Sequence, residues 1–76
     1  MDKNVDLLNY KVSEIHYPYG IYKLGQPAEI FDEGSFYRID STHIIDKFRI
    51  VSTKLDGSHL TVHMNNEDII LIVEIK

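Results

Sequence analysis

The last third of the chain carries the most regular hydrophobic pattern. Apolar side chains take every second position from Leu60 to Met64, which is typical of a strand with one buried face. Residues 48–55 are rich in β-branched and aromatic side chains, which favour strands. The dipeptide Asp56-Gly57 separates the two segments and predicts a tight hairpin turn, because such turns need positive φ angles.

A third strand is expected close behind. Residues 69–73 are apolar at every position, which indicates a strand covered on both faces. At a free edge such a strand would promote aggregation, so we expect it at the centre of the sheet or paired with a second copy of the chain. The pattern predicts a three-stranded antiparallel meander over 48–55, 59–64 and 69–75. In strand count alone, this meander resembles small five-stranded barrels of the SH3-like and Sm-like kind.

The rest of the chain gives weaker signals. Four apolar side chains between residues 4 and 15 are spaced as on one face of a helix, although Tyr10 and Val12 also fit a bulged strand; we predict a short helix. Pro18 and Gly20 predict a turn after it. Three short strands are expected at 21–24, 28–31 and 36–39. One helical turn or an irregular link is expected near 40–47.

These elements predict an α+β fold that is mostly antiparallel β. We expect a small single-sheet or barrel-like domain with at most one or two short helices, spanning 1–76 as a single domain. A chain of 76 residues without cysteine has a small core and no disulfide to support it. Self-association would add stability, so a two-fold dimer is predicted.

Composition indicates whether the chain folds, where it is located and what kind of genome encodes it. A hydrophobic fraction of 43% and a net charge of −4 are typical of a folded domain rather than a disordered chain. The first residues lack the features of a secretion signal, and no apolar run approaches the roughly 20 residues that cross a bilayer. We therefore expect a cytoplasmic protein with no membrane partner. Abundant isoleucine with Ala28 as the single alanine suggests an AT-rich bacterial, bacteriophage or mobile-element genome.

The sequence contains no pattern typical of an enzyme. None of the serines lies in a nucleophile motif, and the isolated glycines form no phosphate-binding loop. His59 and His63 are four residues apart on a predicted strand, a separation of about 13 Å, which is too long for both to bind one metal ion. We expect no catalytic residue, no metal and no cofactor.

Tyrosines supply the strongest functional signal. Four of the five tyrosines lie between residues 10 and 22, and tyrosine is enriched at protein interfaces because it combines a large apolar ring with a hydroxyl group. They could also cap the sheet with their hydroxyls at the rim. The candidate interface residues are Tyr17, Tyr19, Tyr22 and Tyr37.

Charged side chains offer two further hypotheses. Acidic residues at two predicted turns could form a surface that mimics nucleic acid, or could be ordinary solvated turn residues: Glu29, Asp32, Glu33, Glu67 and Asp68. The basic residues Lys47, Arg49 and Lys54 are the closest cations in sequence and could serve a small β-barrel nucleic-acid-binding protein. The net negative charge disfavours nucleic acid as a ligand.

The function expected from these observations is that of a non-enzymatic protein-binding module. Such a protein would act as a small regulator or inhibitor of another protein. Nucleic-acid binding and acidic mimicry of nucleic acid are the alternatives.

Overall fold

In the computed structural model, residues 6–76 are described. This part of the chain forms eight strands and two 3-10 turns of three residues each, and it contains no α-helix. All strand pairs are antiparallel. The strands are β1 (Tyr10–Tyr17), β2 (Gly20–Glu29), β3 (Phe31–Asp32), β4 (Phe36–Arg38), β5 (Ile44–Asp46), β6 (Ile50–Asp56), β7 (His59–Met64) and β8 (Asp68–Ile75).

The strands form two sheets. The larger has the order β2-β1-β8-β7-β6, and the smaller has the order β3-β4-β5. The antiparallel β character of the prediction is therefore confirmed. Two sheets form where we expected a single-sheet or barrel-like domain, and the helices of the α+β prediction are not seen within residues 6–76.

The C-terminal meander is confirmed as β6, β7 and β8. Leu60, Val62 and Met64 are buried as the alternation predicts. Strand β8 lies between β1 and β7, which places the apolar segment 69–73 at the centre of the sheet. Because β8 has no free edge, the aggregation hazard no longer argues for a dimer.

The turn between β6 and β7 differs in detail from the Asp-Gly prediction. Asp56 pairs with His59, so the two-residue turn consists of Gly57 and Ser58. Gly57 has a φ of 64°, and within residues 6–76 no residue other than glycine has positive φ. Glycine at the first turn position and negative φ at the second match the II′ hairpin type.

A helix was predicted within residues 4–15, and residues 1–5 lie outside the described part of the chain. Over residues 6–15 the prediction is wrong. Leu7–Asn9 is a 3-10 turn, and β1 follows. The strand pairing shifts register between Val12 and Glu14, and this bulge lets both Val12 and Ile15 face the core. The resulting three-residue spacing imitates one face of a helix.

Strand β2 runs through the segment where we expected it to stop. Val12 pairs with Ala28 and Glu14 with Lys23, so residues 24–27 lie opposite Ser13 alone. Gly25, at a φ of 88°, lies within this excess of residues. The break that Gly25 and Pro27 predicted is thus a distortion inside one edge strand.

The smaller sheet takes the place of the helical turn predicted near 40–47. Residues 44–46 form β5, and the 3-10 turn Lys47–Arg49 follows it. The Asp46 side chain accepts a hydrogen bond from the Phe48 amide at 2.9 Å, which caps this turn.

One hydrophobic core joins the two sheets. Its largest fully buried side chains come from the segment before β1 and from the larger sheet, and Ile30, Ile39 and Ile45 join them from in and around the smaller sheet. The smaller sheet therefore covers the buried face of the larger one. This packing leaves the β1–β2 turn and the loop between β4 and β5 close to each other at the surface, where they form the candidate site.

Candidate functional site

The β1–β2 turn presents two tyrosines. Tyr17 pairs with Gly20, so Pro18 and Tyr19 form the turn itself, as the Pro-Gly signal predicted. The Tyr17 and Tyr19 rings stack with centroids 5.1 Å apart and planes only 10° from parallel. Tyr17 packs partly against the core, whereas Tyr19 is 80% exposed. The turn thus holds one anchored ring beneath one open ring.

The loop between β4 and β5 supplies the opposite wall of the site. The Oδ1 atom of Asp40 accepts hydrogen bonds from the backbone amides of Thr42 and His43, each at 2.9 Å. The Ile39 amide donates to the His43 carbonyl at 2.9 Å and closes the loop. Short polar side chains bond nearby amides in this way when they organise turns, and the result is a fixed backbone position for His43.

His43 joins the two walls. Its ring stacks on Tyr22 of β2 with a centroid separation of 4.0 Å, and its centroid is 6.1 Å from that of Tyr17. Tyr17, Tyr19, Tyr22 and His43 therefore form a continuous cluster of rings, which we term the tyrosine surface. Aromatic contacts of this kind stabilise the arrangement beyond simple burial.

Two openings flank the tyrosine surface. A cavity of about 470 Å³ is lined by its four rings together with Gly20, Ile21 and Thr42. A second cavity of about 300 Å³ shares the rings of Tyr17, Tyr19 and His43. Ile44, Asp46, Arg49 and Glu67 are also among its lining residues. The exposed rings therefore border open volume on both sides.

Carboxylates set the electrostatics of the site. Burial alone would raise the pKa of Asp40, but hydrogen bonds from the Thr42 amide and from His43 outweigh it and lower that pKa from 3.8 to about 2. Asp40 is therefore ionised at neutral pH. Its negative charge raises the pKa of Tyr22, and burial followed by the neighbouring Tyr19 and Asp40 raises the pKa of Tyr17. Both phenols are accordingly neutral at neutral pH and can donate hydrogen bonds.

Aliphatic side chains are also exposed beside the tyrosine surface. Ile21 on β2 and Ile44 on β5 are both more than half exposed, and they line the 470 Å³ and 300 Å³ cavities respectively. Aromatic rings with adjacent aliphatic side chains and a polar rim are the composition of a protein-binding patch.

Of the four tyrosines singled out in the sequence, three meet in this site and Tyr37 does not. Tyr37 lies on β4, is partly buried against the core, and has the Lys47 ammonium group 4.9 Å from its ring centroid. His43 was not among the residues predicted from the sequence. Its signal was the Asp-Ser-Thr segment before it, because a turn fixed by Asp40 determines where the next side chain lies.

The acidic candidates do not form an array. Asp32 pairs with Lys47 at 2.6 Å and Glu33 with Arg38 at 2.7 Å. Glu29 lies 3.5 Å from Lys76, and Asp68 pairs with His63. Glu67 alone of the five borders the 300 Å³ cavity. Four of the five candidates thus sit beside a cation or a histidine, which reduces the negative field that a nucleic-acid mimic needs.

The basic candidates are also dispersed. Lys47 is held by Asp32, and the Arg49 guanidinium lies 3.8 Å from the Asp46 carboxylate. Lys54 lies on β6 opposite Thr61, in the edge strand on the other side of the larger sheet. These three residues do not form the continuous positive stripe that follows a phosphate backbone.

Residues 6–76 place no metal-binding cluster at the tyrosine surface or elsewhere. No group of three or more His, Asp or Glu side chains in this range is placed to hold a metal ion. His59 and His63 both lie on β7 and are exposed, as the sequence analysis expected for residues that alternate with buried ones. The same range contains no helix long and apolar enough to cross a membrane.

Comparison with known proteins gives no relative from which a function could be transferred. No protein-family model, no curated protein and no solved structure matches the chain.

Proposed function

We propose that this protein is a non-enzymatic protein-binding module and that it binds its partner through the tyrosine surface. The observation that carries the proposal is the exposure of Tyr19 above a pre-stacked set of rings. Tyr19 is 80% exposed, yet its ring rests on Tyr17. A rigid aromatic side chain loses little conformational entropy on binding, which is why tyrosine is common among the residues that dominate binding energy.

The packing around the rings supports the same function. Asp40 fixes the loop that carries His43, and His43 stacks on Tyr22. The surface is therefore organised before a partner arrives, and preorganisation raises affinity by removing ordering costs. Exposed aliphatic side chains at Ile21 and Ile44 extend the area that a partner would cover.

Regulation or inhibition of the partner is the role that we propose for this binding. The cytoplasmic location and the bacterial or phage origin expected from the sequence belong to the same proposal. The role is tested by adding the purified protein to an activity assay of the captured partner.

Affinity capture with two matched variants tests the binding proposal. Tyr19 and Phe48 are both aromatic and about equally exposed, at 80% and 81%, but Phe48 does not line either cavity of the site. We expect Tyr19→Ala to weaken partner binding by about 30-fold, the effect of losing a dominant interface residue. Phe48→Ala should leave the affinity within about threefold of the wild-type value.

Two results would contradict the proposal. If Phe48→Ala abolishes capture while Tyr19→Ala does not, the interface lies around the 3-10 turn Lys47–Arg49 instead. If the purified protein binds a single-stranded oligonucleotide with an affinity that falls steeply as salt rises, it is a nucleic-acid-binding protein.

A further inference from the structure

The smaller cavity at the tyrosine surface combines aromatic faces with an excess of negative charge. Asp46 and Glu67 border the 300 Å³ cavity, and Asp40 lies behind the rings within reach of Tyr22. Within residues 6–76, Arg49 is the one lysine or arginine that lines either cavity, and it lies 3.8 Å from Asp46. Nearby carboxylates and electron-rich ring faces both attract a cation.

We propose that the tyrosine surface binds a basic side chain of the partner protein, with arginine preferred over lysine. This inference rests on the proposed function and specifies the partner chemistry that the site recognises. A planar guanidinium group can stack on an open tyrosine ring and donate hydrogen bonds to carboxylates, whereas an ammonium group offers only a compact charge. The partner surface is therefore basic where it meets this site.

The geometry provides a place for such a side chain. The cavity of about 300 Å³ brings the carboxylates of Asp46 and Glu67 to the same opening as the rings of Tyr17 and Tyr19, and its volume is at the lower end of the range for small-ligand sites. Tyr19 offers an exposed ring at this opening. Cation–aromatic contacts of the same kind already occur in this protein, where the Arg38 guanidinium lies 4.8 Å from the ring centroid of Phe31.

The charges also decide against an anionic occupant. A phosphate or carboxylate in either cavity would approach Asp40 or Glu67. Among the described lining residues, Arg49 is the one lysine or arginine, and it is already paired with Asp46. The pKa of Tyr22 is raised chiefly by the charge of Asp40, which is consistent with a negative potential at its phenol oxygen. A basic peptide gains from this potential, and a nucleic acid loses.

The test is a two-dimensional amide NMR titration of the full chain with three blocked tripeptides. Their central residue is arginine, lysine or citrulline, the last being a neutral analogue of arginine with nearly the same shape. We expect the arginine peptide to shift the amide signals of residues 17–22 and 42–43. The citrulline peptide should bind about fivefold more weakly, the value of one exposed cation–aromatic contact, and the lysine peptide should bind with an intermediate affinity.

Variants that remove one negative charge show which carboxylates contribute to binding of the arginine peptide. Asp40→Asn and Glu67→Gln should each weaken binding of the arginine peptide by about two- to fivefold. The hydrogen bonds described for the Asp40 loop join Ile39, Asp40, Thr42 and His43 and do not involve Glu67. Glu67→Gln therefore still tests the effect of negative charge if Asp40→Asn disturbs that loop. Glu33→Gln is the matched control, because its carboxylate pairs with Arg38 in the smaller sheet and should leave binding unchanged.

Equal affinity for the arginine and citrulline peptides would overturn the inference, and so would shifts confined to residues outside the site. Either result leaves the proposed function intact if partner capture still depends on Tyr19. Conversely, arginine binding without any Tyr19-dependent partner would support cation recognition and contradict the proposed function. Signals of Thr42 and His43 that move on concentrating the protein alone would identify a second copy of the chain as the occupant of the tyrosine surface and overturn the inference.

Discussion

Asp40 and His43 are joined twice through a single oxygen atom. The Asp40 Oδ1 atom accepts the His43 backbone amide at 2.9 Å and lies 2.9 Å from the Nδ1 atom of the same residue. The first contact fixes the backbone of the loop and the second fixes the ring. Because that ring stacks on Tyr22, one carboxylate determines the shape of the tyrosine surface.

The first prediction concerns acid stability. The pKa of Asp40 falls from 3.8 to about 2 on folding, so the folded state favours the ionised form. Asp40 therefore contributes its full stabilisation above pH 3.8, and this contribution is lost as the pH falls through about 2. After allowance for solvent screening at this surface position, we expect Asp40→Asn to lower the free energy of unfolding by about 1 kcal/mol at pH 7 and to have little effect near pH 1.5. Urea unfolding at both pH values measures the difference.

Glu33→Gln again provides the control for that experiment. Glu33 belongs to an exposed ion pair with Arg38, and exposed pairs contribute about 0–1 kcal/mol. A loss at pH 7 that is as large for Glu33→Gln as for Asp40→Asn would show that the Asp40 loop has no special role in stability.

The second prediction concerns the central strand. Leu71 on β8 is fully buried, whereas Ile75 on the same strand is 80% exposed. Leu71→Ala should lower the free energy of unfolding by about 2–5 kcal/mol, because it removes buried methyl groups and leaves a cavity. Ile75→Ala should change it by less than about 0.5 kcal/mol. Thermal unfolding followed by circular dichroism compares the two, and similar losses would be incompatible with the described burial.

The third prediction concerns the β6–β7 turn. Gly57 has a φ of 64°, and the space where a Cβ atom would lie is open within 4 Å. Gly57→Ala should therefore destabilise by about 1–2 kcal/mol through backbone strain alone. Gly20 has equally open space and no positive φ, so Gly20→Ala should be neutral or stabilise by up to about 1 kcal/mol. Equal effects of the two variants in chemical denaturation would argue against the II′ turn.

The fourth prediction concerns self-association, which we still propose in the form of a two-fold dimer. Strand β2 is an edge of the larger sheet, and Tyr17 and Gly20 close its hairpin. Backbone bonding alternates along an antiparallel pair, so the amides of Ile21 and Lys23 point to the open edge. Pairing of two β2 strands about Tyr22 would set Lys23 opposite Ile21 of the second copy and keep like charges apart.

Sedimentation equilibrium over a wide concentration range tests that arrangement. We expect a mass of two chains at high micromolar concentration, and we expect Ile21→Pro to restore one chain because it removes an outward amide that β1 does not use. Circular dichroism should remain that of a β protein. A mass of one chain at every concentration would defeat the dimer, and an unchanged dimer in Ile21→Pro would place the interface away from β2.

Local pattern was sufficient for much of this fold. The alternation around Leu60 and the continuous apolar run 69–73 predicted β7 and a strand β8 that is either central or paired with a second copy, because both signals depend only on burial. The same reasoning gave a wrong prediction for β1, because the strand has a bulge between Val12 and Glu14. An inserted residue changes the spacing of the buried side chains to one that resembles a helix. Strand β5 was missed because its three residues carry too little pattern.

The residues of the candidate site could likewise be predicted only in part. Tyrosine content identified Tyr17, Tyr19 and Tyr22, which lie close together in sequence and remain close in the fold. Tyr37 could not be separated from them, because its position depends on how the smaller sheet packs. His43 reaches Tyr22 from another part of the chain, and only the tertiary fold brings those two rings together.

The central position of β8 also governs the order in which the protein can assemble. The β1–β2 and β6–β7 hairpins each form from neighbouring residues, but β8 alone connects them within the larger sheet. During synthesis, β1 and β7 each expose one unpaired edge until β8 leaves the ribosome. Such long-range closure is slow compared with hairpin formation. The nascent chain therefore passes through an interval in which two open strands are exposed to chaperones and to other nascent chains.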